Sequence, residues 1–364
     1  MFNRKRNSVP SSLRTREAGE AIHRARRLAT DGSLRCARDD GFFRIFTRRS
    51  LIRLLTATAV LAGTNLLQPP LLAADPPMDV VASFSILGDM VRTVGGDRVR
   101  VTTLVGPDAD AHVFEPTPAD VRAIAASRVV FVNGLGFEAG WMPRLAEAAG
   151  FKGTVVVVSE GIRPLTMEEE EEEEHGHGGA HHAETPHDAD DPHAWQNLAN
   201  GKIYAQNIAS ALAAADPGGA AVYRRNADAY IEEMTALDAQ VRAQIAAIPV
   251  ARRKIVTSHD AFQYFGQAYG LQLLAPEGVS TEAEASAADV ARLIRQIRSE
   301  KITAVFVENL SDNRLLDRIA KETGARIGGT VYSDSLSPEG GPAPTYLAMF
   351  RHNMAEFTRA LAGS

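Results

Sequence analysis

The sequence predicts an α/β fold: two similar lobes, each with a mostly parallel sheet flanked by helices, joined by one long rigid helix. Three observations predict it. At 364 residues the chain exceeds the usual single domain of about 100–200 residues, which suggests two lobes. Short β-branched runs, several almost continuously apolar, alternate with helical patterns, as buried parallel strands do. A stretch near the middle keeps helical periodicity with no strand signal.

The chain opens on a different kind of segment. Residues 1–53 hold 14 Lys+Arg and 5 Asp+Glu, a net +9, and residues 54–74 hold no charge. Residues 75–364 hold 25 basic and 40 acidic side chains, a net −15. A basic arm, a neutral apolar stretch and an acidic body follow the order of an export signal and a mature protein. Arg48-Arg49 precede an apolar run that starts at Leu54 and breaks at Pro69-Pro70, and Ala73-Ala74 offer a cleavage point. The paired arginines resemble a twin-arginine signal, with an ordinary Sec signal as the alternative. The run is short for a membrane span. Cys36, the only cysteine, precedes the apolar run and follows Leu34-Arg35 rather than a lipobox, so no lipid anchor is expected on it. The mature body then has no disulfide and no thiolate, and any metal must be held by His and carboxylates.

The first lobe is expected over 75–216. Its strands are read at 79–86, 99–105, 129–133 and 154–159. A helix opens at Pro118-Ala119-Asp120, with Thr117 as N-cap and Pro118 at the first helical position. Residues 217–248 read as the linking helix, roughly 45 Å long at 1.5 Å per residue. Tyr230, Met234, Leu237, Val241 and Ile245 recur there at three- and four-residue steps, and Pro217 and Pro249 punctuate its ends. Two shorter helices are the alternative. The second lobe is expected over 249–364, with strands at 254–259, 271–274, 304–308 and 326–332. Helices are read at 286–300 and 346–361.

One segment has no core-forming pattern. Residues 168–191 hold seven consecutive glutamates, then His175, His177, His181, His182 and His187 among Gly, Ala and acids. This reads as an acidic loop that collects metal weakly through imidazole, against a plain solvated spacer.

The histidines of the folded body carry the chemical signal. His112 sits in Asp110-Ala111-His112-Val113-Phe114-Glu115-Pro116, His193 in Asp191-Pro192-His193-Ala194-Trp195, and His259 ends an apolar strand at Ser258-His259-Asp260. Ligands of open α/β sheets gather at the carboxyl ends of strands, so these three can converge in a cleft. Asp334, just past the strand ending near Tyr332, is a fourth candidate. Three imidazoles and one carboxylate suit tetrahedral Zn²⁺, while Mn²⁺ favours more oxygen. His352 reads as a surface residue. Glu308 and Asp260 are both candidates to orient His259 through its second ring nitrogen.

These motifs together resemble the periplasmic substrate-binding proteins of zinc/manganese ABC transporters, the cluster A-I or ZnuA-like family. The marks are D-A-H-V-F-E-P-T-P at 110–118, the acidic His loop, D-P-H-A-W at 191–195, T-S-H-D-A-F at 257–262, V-F-V-E-N at 305–309 and Y-S-D-S-L-S at 332–337. The resemblance runs from about Met78 to the C-terminus. It implies two α/β lobes joined by a long helix, with metal between them held by His112, His193, His259 and Asp334. His at the third position is similar to zinc members, where manganese members tend to have Glu. Gln196-Asn197 departs from the common D-P-H-x-W-L-D-P pattern and resembles AztC-type zinc binders.

The implied function is capture of Zn²⁺ in the periplasm and delivery to an ABC permease with its ATPase, and a periplasmic metallochaperone is a further possible partner. Manganese binding is the alternative cargo. A monomer without enzymatic activity and without a nucleic-acid partner is expected. A secreted zinc hydrolase is the rival, but no H-E-x-x-H occurs and Glu115 is the only acid near His112 of the kind it needs. Imidazole must be neutral to bind metal, so affinity is expected to fall below about pH 6.5.

Overall fold

A computed structural model describes residues 76–166, 190–282 and 285–362. The expected export segment, Cys36, the glutamate run and His175, His177, His181, His182 and His187 lie outside the described residues. Among the described residues no helix is long and apolar enough to cross a membrane.

The first sheet contains β1 (Met78–Phe84), β2 (Val99–Val105), β3 (Val129–Val132) and β4 (Thr154–Val157). Its order is β2-β1-β3-β4, all parallel, with Val80 paired to both Val101 and Val129. β3 is buried along its whole length, as a strand covered on both faces should be. The run expected as one strand over 79–86 divides at Ser85. Ile86, Leu87, Met90, Val91 and Val94 are buried at helical steps, so the chain turns into helix α1 (Ser85–Gly95).

The second sheet repeats that topology. It contains β5 (Lys254–Val256), β6 (Gln272–Leu274), β7 (Ala304–Glu308) and β8 (Arg326–Val331), in order β6-β5-β7-β8, again parallel. In each sheet the first and third strands lie side by side. Chain crossovers leave in opposite directions there, which opens a crevice at the carboxyl ends.

Helices α2 (Pro118–Ala126), α3 (Met142–Ala148) and α4 (Leu198–Ala215) complete the first lobe. Thr117 caps α2, as the sequence predicts, and Asp120 completes a capping box by accepting the Thr117 backbone N–H (2.7 Å). Helices α6 (Gln263–Tyr269), α7 (Ala287–Glu300), α8 (Asn313–Thr323) and α9 (Tyr346–Ala362) surround the second sheet. Between the two sheets runs α5 (Ala220–Ala246), 27 residues long. That is about 40 Å, slightly shorter than expected. Pro217–Gly219 form a separate 3₁₀ turn capped by Asp216. Near its start Asn226 donates to Val94 O (3.1 Å), and near its end Asp238 accepts from the Tyr269 hydroxyl (3.0 Å). The helix is thus fastened to both lobes.

One apolar core spans the first sheet, α4, α5, α9 and one face of the second sheet. The opposite face of the second sheet packs a separate core with Leu293, Ile297, Leu316 and Ile319. Helix α4 meets α9 at Gly201, where an added Cβ would lie 2.6 Å from the Tyr346 hydroxyl. That hydroxyl donates to Trp195 O at 2.6 Å. Gly201→Ala is expected to destabilise the protein by about 1–3 kcal/mol through overpacking, read as a lower urea midpoint with unchanged slope.

Candidate metal centre

Four loops at the carboxyl ends of the strands converge. The loop after β2 carries His112, whose backbone N–H donates to Asp110 Oδ1 (2.8 Å). Trp141 Nε1 donates to Ala111 O (2.9 Å) and steadies the same loop. The segment leading into α4 carries His193. Asp191 Oδ1 accepts from both the backbone N–H and the ring Nδ1 of that residue, at 2.9 and 2.8 Å. His259 lies three residues past β5. Glu308, the last residue of β7, accepts the backbone N–H groups of Ser258 and His259 through Oε1 (2.8 and 2.9 Å).

Asp334 is held most elaborately. Ser333 O accepts from Trp195 Nε1 (2.9 Å) and Gln196 Nε2 (2.7 Å). Leu336 N donates to Ser85 Oγ (2.9 Å), and Leu336 O accepts from Asp108 N (3.0 Å). The loop that supplies the carboxylate therefore follows β8 of the second lobe but is pinned by groups of the first. Gln196, the departure from the common motif, is one of the pins, and Asn197 caps α4 by accepting from Ala199 N.

The structure brings together all four residues singled out in the sequence. One ligand atom from each of His112, His193, His259 and Asp334 lies within 4.8 Å of the others, the one such cluster among the described residues. Asp334 Oδ2 is 3.1 Å from Nε2 of both His112 and His259, and Oδ1 is 3.4 Å from Nε2 of His193. His193, His259 and Asp334 are buried, while His112 is half-buried. A cavity of about 530 Å³ opens above His112, with Phe137, Asp190 and Ser280 in its wall.

The ring nitrogens facing away from the centre answer the choice between Asp260 and Glu308. Glu308 Oε2 lies 2.7 Å from His259 Nδ1, an ion-pair contact rather than a straight hydrogen bond. Asp260 turns away and accepts from Gln263 (2.7 Å). Asp191 serves His193 in the same way. Each arrangement leaves Nε2 aimed inward. His193 Nε2 and Asp334 Oδ1 are buried and have no hydrogen-bond partner among the described residues. Buried polar atoms rarely stay unpaired, so this is the donor set a cation would satisfy.

Burial alone would lower the pKa of His193, but the carboxylates of Asp334 and Asp191 outweigh it and lift it to about 9. Burial is likewise outweighed at His259, where Glu308 and Asp334 push the ring well above its usual value. Burial would raise Asp334, yet the surrounding histidines hold it well below the ordinary carboxylate range. The carboxylates facing these rings favour their charged forms, so protons are expected to begin competing with metal above pH 6.5.

Sequence reasoning missed Phe137 and Glu138, and it named Asp191 and Gln196 without their roles. The buried Glu138 carboxylate accepts from Ser83 Oγ (2.7 Å), Asn133 N (2.7 Å) and Gly134 N (3.1 Å). It thereby holds the turn that sets the Phe137 ring 4.9 Å from that of His112. Glu115, the acid a hydrolase would need, is exposed beside Phe114 and stands outside the cluster.

Comparison with known proteins agrees with this architecture. Residues 80–360 match the family model described as ZnuA, zinc-uptake complex component A periplasmic. The chain is 32% identical to the manganese ABC transporter substrate-binding lipoprotein scaA of Streptococcus gordonii, over 86% of this chain and 98% of that protein. It is 33% identical to the iron-binding protein YfeA of Yersinia pestis, over 82% and 93%. Among solved structures it is similar to the periplasmic zinc binding protein TroA from Treponema pallidum (TM-score 0.70, 29% identity, 78% of this chain and 99% of that one). It is also similar to a Mn-bound periplasmic metal binding protein from candidatus liberibacter asiaticus (TM-score 0.67, 32% identity, 78% and 98%).

Glu308→Gln tests the orienting carboxylate. The Gln oxygen can keep the two backbone N–H groups, but its amide N–H₂ then faces His259 Nδ1 and places the ring proton on Nε2, toward the centre. Metal affinity is expected to fall about 10–100-fold in a chelator competition assay.

Proposed function

This chain belongs to the ZnuA family of periplasmic zinc-uptake components, and from that premise we propose that it captures Zn²⁺ and hands it to its permease. It is a metal-binding, substrate-binding protein of an ABC transporter, a class that works with a membrane permease and its ATPase and is not enzymatic. The relatives carry manganese, iron and zinc in their names, so the metal is this reading's own step. His112, His193, His259 and Asp334 are its ligands.

The observation that carries the zinc reading is the convergence of three imidazole Nε2 atoms and one carboxylate in a buried pocket. Four N/O donors suit tetrahedral Zn²⁺. Charge supports a divalent ion as well. Asp191, Glu308 and Asp334 are buried around the histidines. With His193 and His259 protonated, a divalent cation replaces two protons and leaves the buried net charge unchanged. One observation favours manganese as a second reading: both Asp334 oxygens face the histidines, so the carboxylate can bind through two oxygens.

The lobe and linker boundaries at 75–216, 217–248 and 249–364, twin-arginine export of 1–74, the absence of lipid on Cys36 and a monomeric state belong to this proposal. So does metal collection by the histidines at 175–187, with delivery by a periplasmic metallochaperone. The relative from Streptococcus gordonii is named a lipoprotein, so the mass of the mature N-terminus decides the lipid question.

Titration of metal-free protein with Zn²⁺ and Mn²⁺ tests the cargo. One tight zinc per chain is expected, bound more tightly than manganese, and His259→Ala costs more affinity than His187→Ala. Tighter manganese binding reverses the assignment.

The proton count tests the site. The His193 pKa is raised, so its charged form stabilises metal-free protein fully below about 6.5, and that contribution is lost as pH rises through about 9. Zinc binding at pH 7 should therefore release about two protons, measured by calorimetry in buffers of different ionisation enthalpy. Affinity should fall steadily from about pH 9 downward. Zinc binding without proton release at pH 7 contradicts the raised histidine pKa values and leaves the ligand set to the His259→Ala comparison.

A further inference from the structure

The two lobes are joined beside the centre by a path that does not pass through it. Asp110, two residues before His112, uses both carboxylate oxygens. Oδ1 accepts the His112 backbone N–H (2.8 Å), and Oδ2 accepts the Thr281 hydroxyl (2.7 Å). Thr281 follows β6 in the second lobe, in a stretch fastened to the other side of the site. Glu277 forms a parallel bridge with His259, and Gly278 O accepts from Asp260 N (3.1 Å). His112 and His259 come from opposite lobes, and this chain of hydrogen bonds ties their backbones together.

The same stretch is the wall of the entrance. Val279, Ser280 and Glu282 line the cavity above His112. His112 is the ligand candidate least fixed from behind. His193 and His259 each have a carboxylate at Nδ1, whereas none stands at His112 Nδ1 among the described residues. The position of His112 therefore depends on its backbone, and Asp110 holds that backbone. Asp108 adds a nearby tie, accepting from Asn309 Nδ2 (3.0 Å) from a left-handed conformation (φ 51°) that Asp tolerates better than most residues.

We propose that Asp110 and Thr281 are positioning residues that form a cross-cleft latch, holding His112 against His259 and governing how fast metal leaves. The proposal rests on the four-ligand reading above. A hydrogen bond to a carboxylate is one of the stronger kind, so breaking the latch changes the release rate measurably.

Thr281→Val removes the hydroxyl and keeps the shape. Zinc dissociation from the full chain into excess chelator is expected to speed up about tenfold, with a smaller accompanying loss of metal-free stability. Thr281→Ser is expected to restore the slow rate. In a His112→Ala background, Thr281→Val should change the rate by less than about twofold, because the latch acts through His112. Wild-type dissociation from Thr281→Val, failure of Ser to restore it, or full acceleration without His112 overturns the latch. Faster release matched by an equal loss of metal-free stability overturns it too. Wild-type protein that binds no zinc removes the four-ligand reading, and the latch falls with it. That outcome is recognised separately, by stoichiometry.

Discussion

The structure turns on a buried carboxylate set among three imidazoles. Asp334 is removed from water, and burial of an unpaired charge is costly. Three ring nitrogens within 3.4 Å compensate it. The outer carboxylates of Asp191 and Glu308 then hold two of those rings with Nε2 inward. Such a set is stable with protons on the rings or with a divalent cation between them.

The fold supplies this arrangement by repetition. Two sheets of the same strand order present their carboxyl ends to one cleft, so the segments that follow the strands can meet there. The loop bearing Asp334 departs from a simple two-plus-two division. It follows β8 of the second lobe, yet Trp195, Gln196, Ser85 and Asp108 of the first lobe hold its backbone. Helix α5 is fastened to both lobes, and the main apolar core runs through it. The separate core under α7 and α8 packs on the far face of the second sheet.

The strands were legible because their residues are β-branched and continuously apolar. Their ends were less so, as at Ser85, where an apolar run continues while the backbone changes from strand to helix. His112, His259 and Asp334 were legible because each sits in a polar loop past such a run, and His193 because of its D-P-H-A-W motif. Asp191 also stood beside a histidine, but proximity in sequence did not distinguish it from Asp260, which is equally close to His259 and turns away to Gln263. Glu308 is 49 positions from His259, so no local pattern could join them.

The sequence by itself determined the α/β alternation, the repeated lobes with a helix between them and the residue types offered to a metal. These follow from local periodicity and side-chain chemistry, which act over a few residues. Only the tertiary structure decided which carboxylate orients which ring, what Gln196 fastens and that the His193 and His259 pKa values rise. Those depend on groups distant in the chain that share a low-dielectric pocket. Their interaction energy is set by separations of about 3 Å that sequence spacing does not encode.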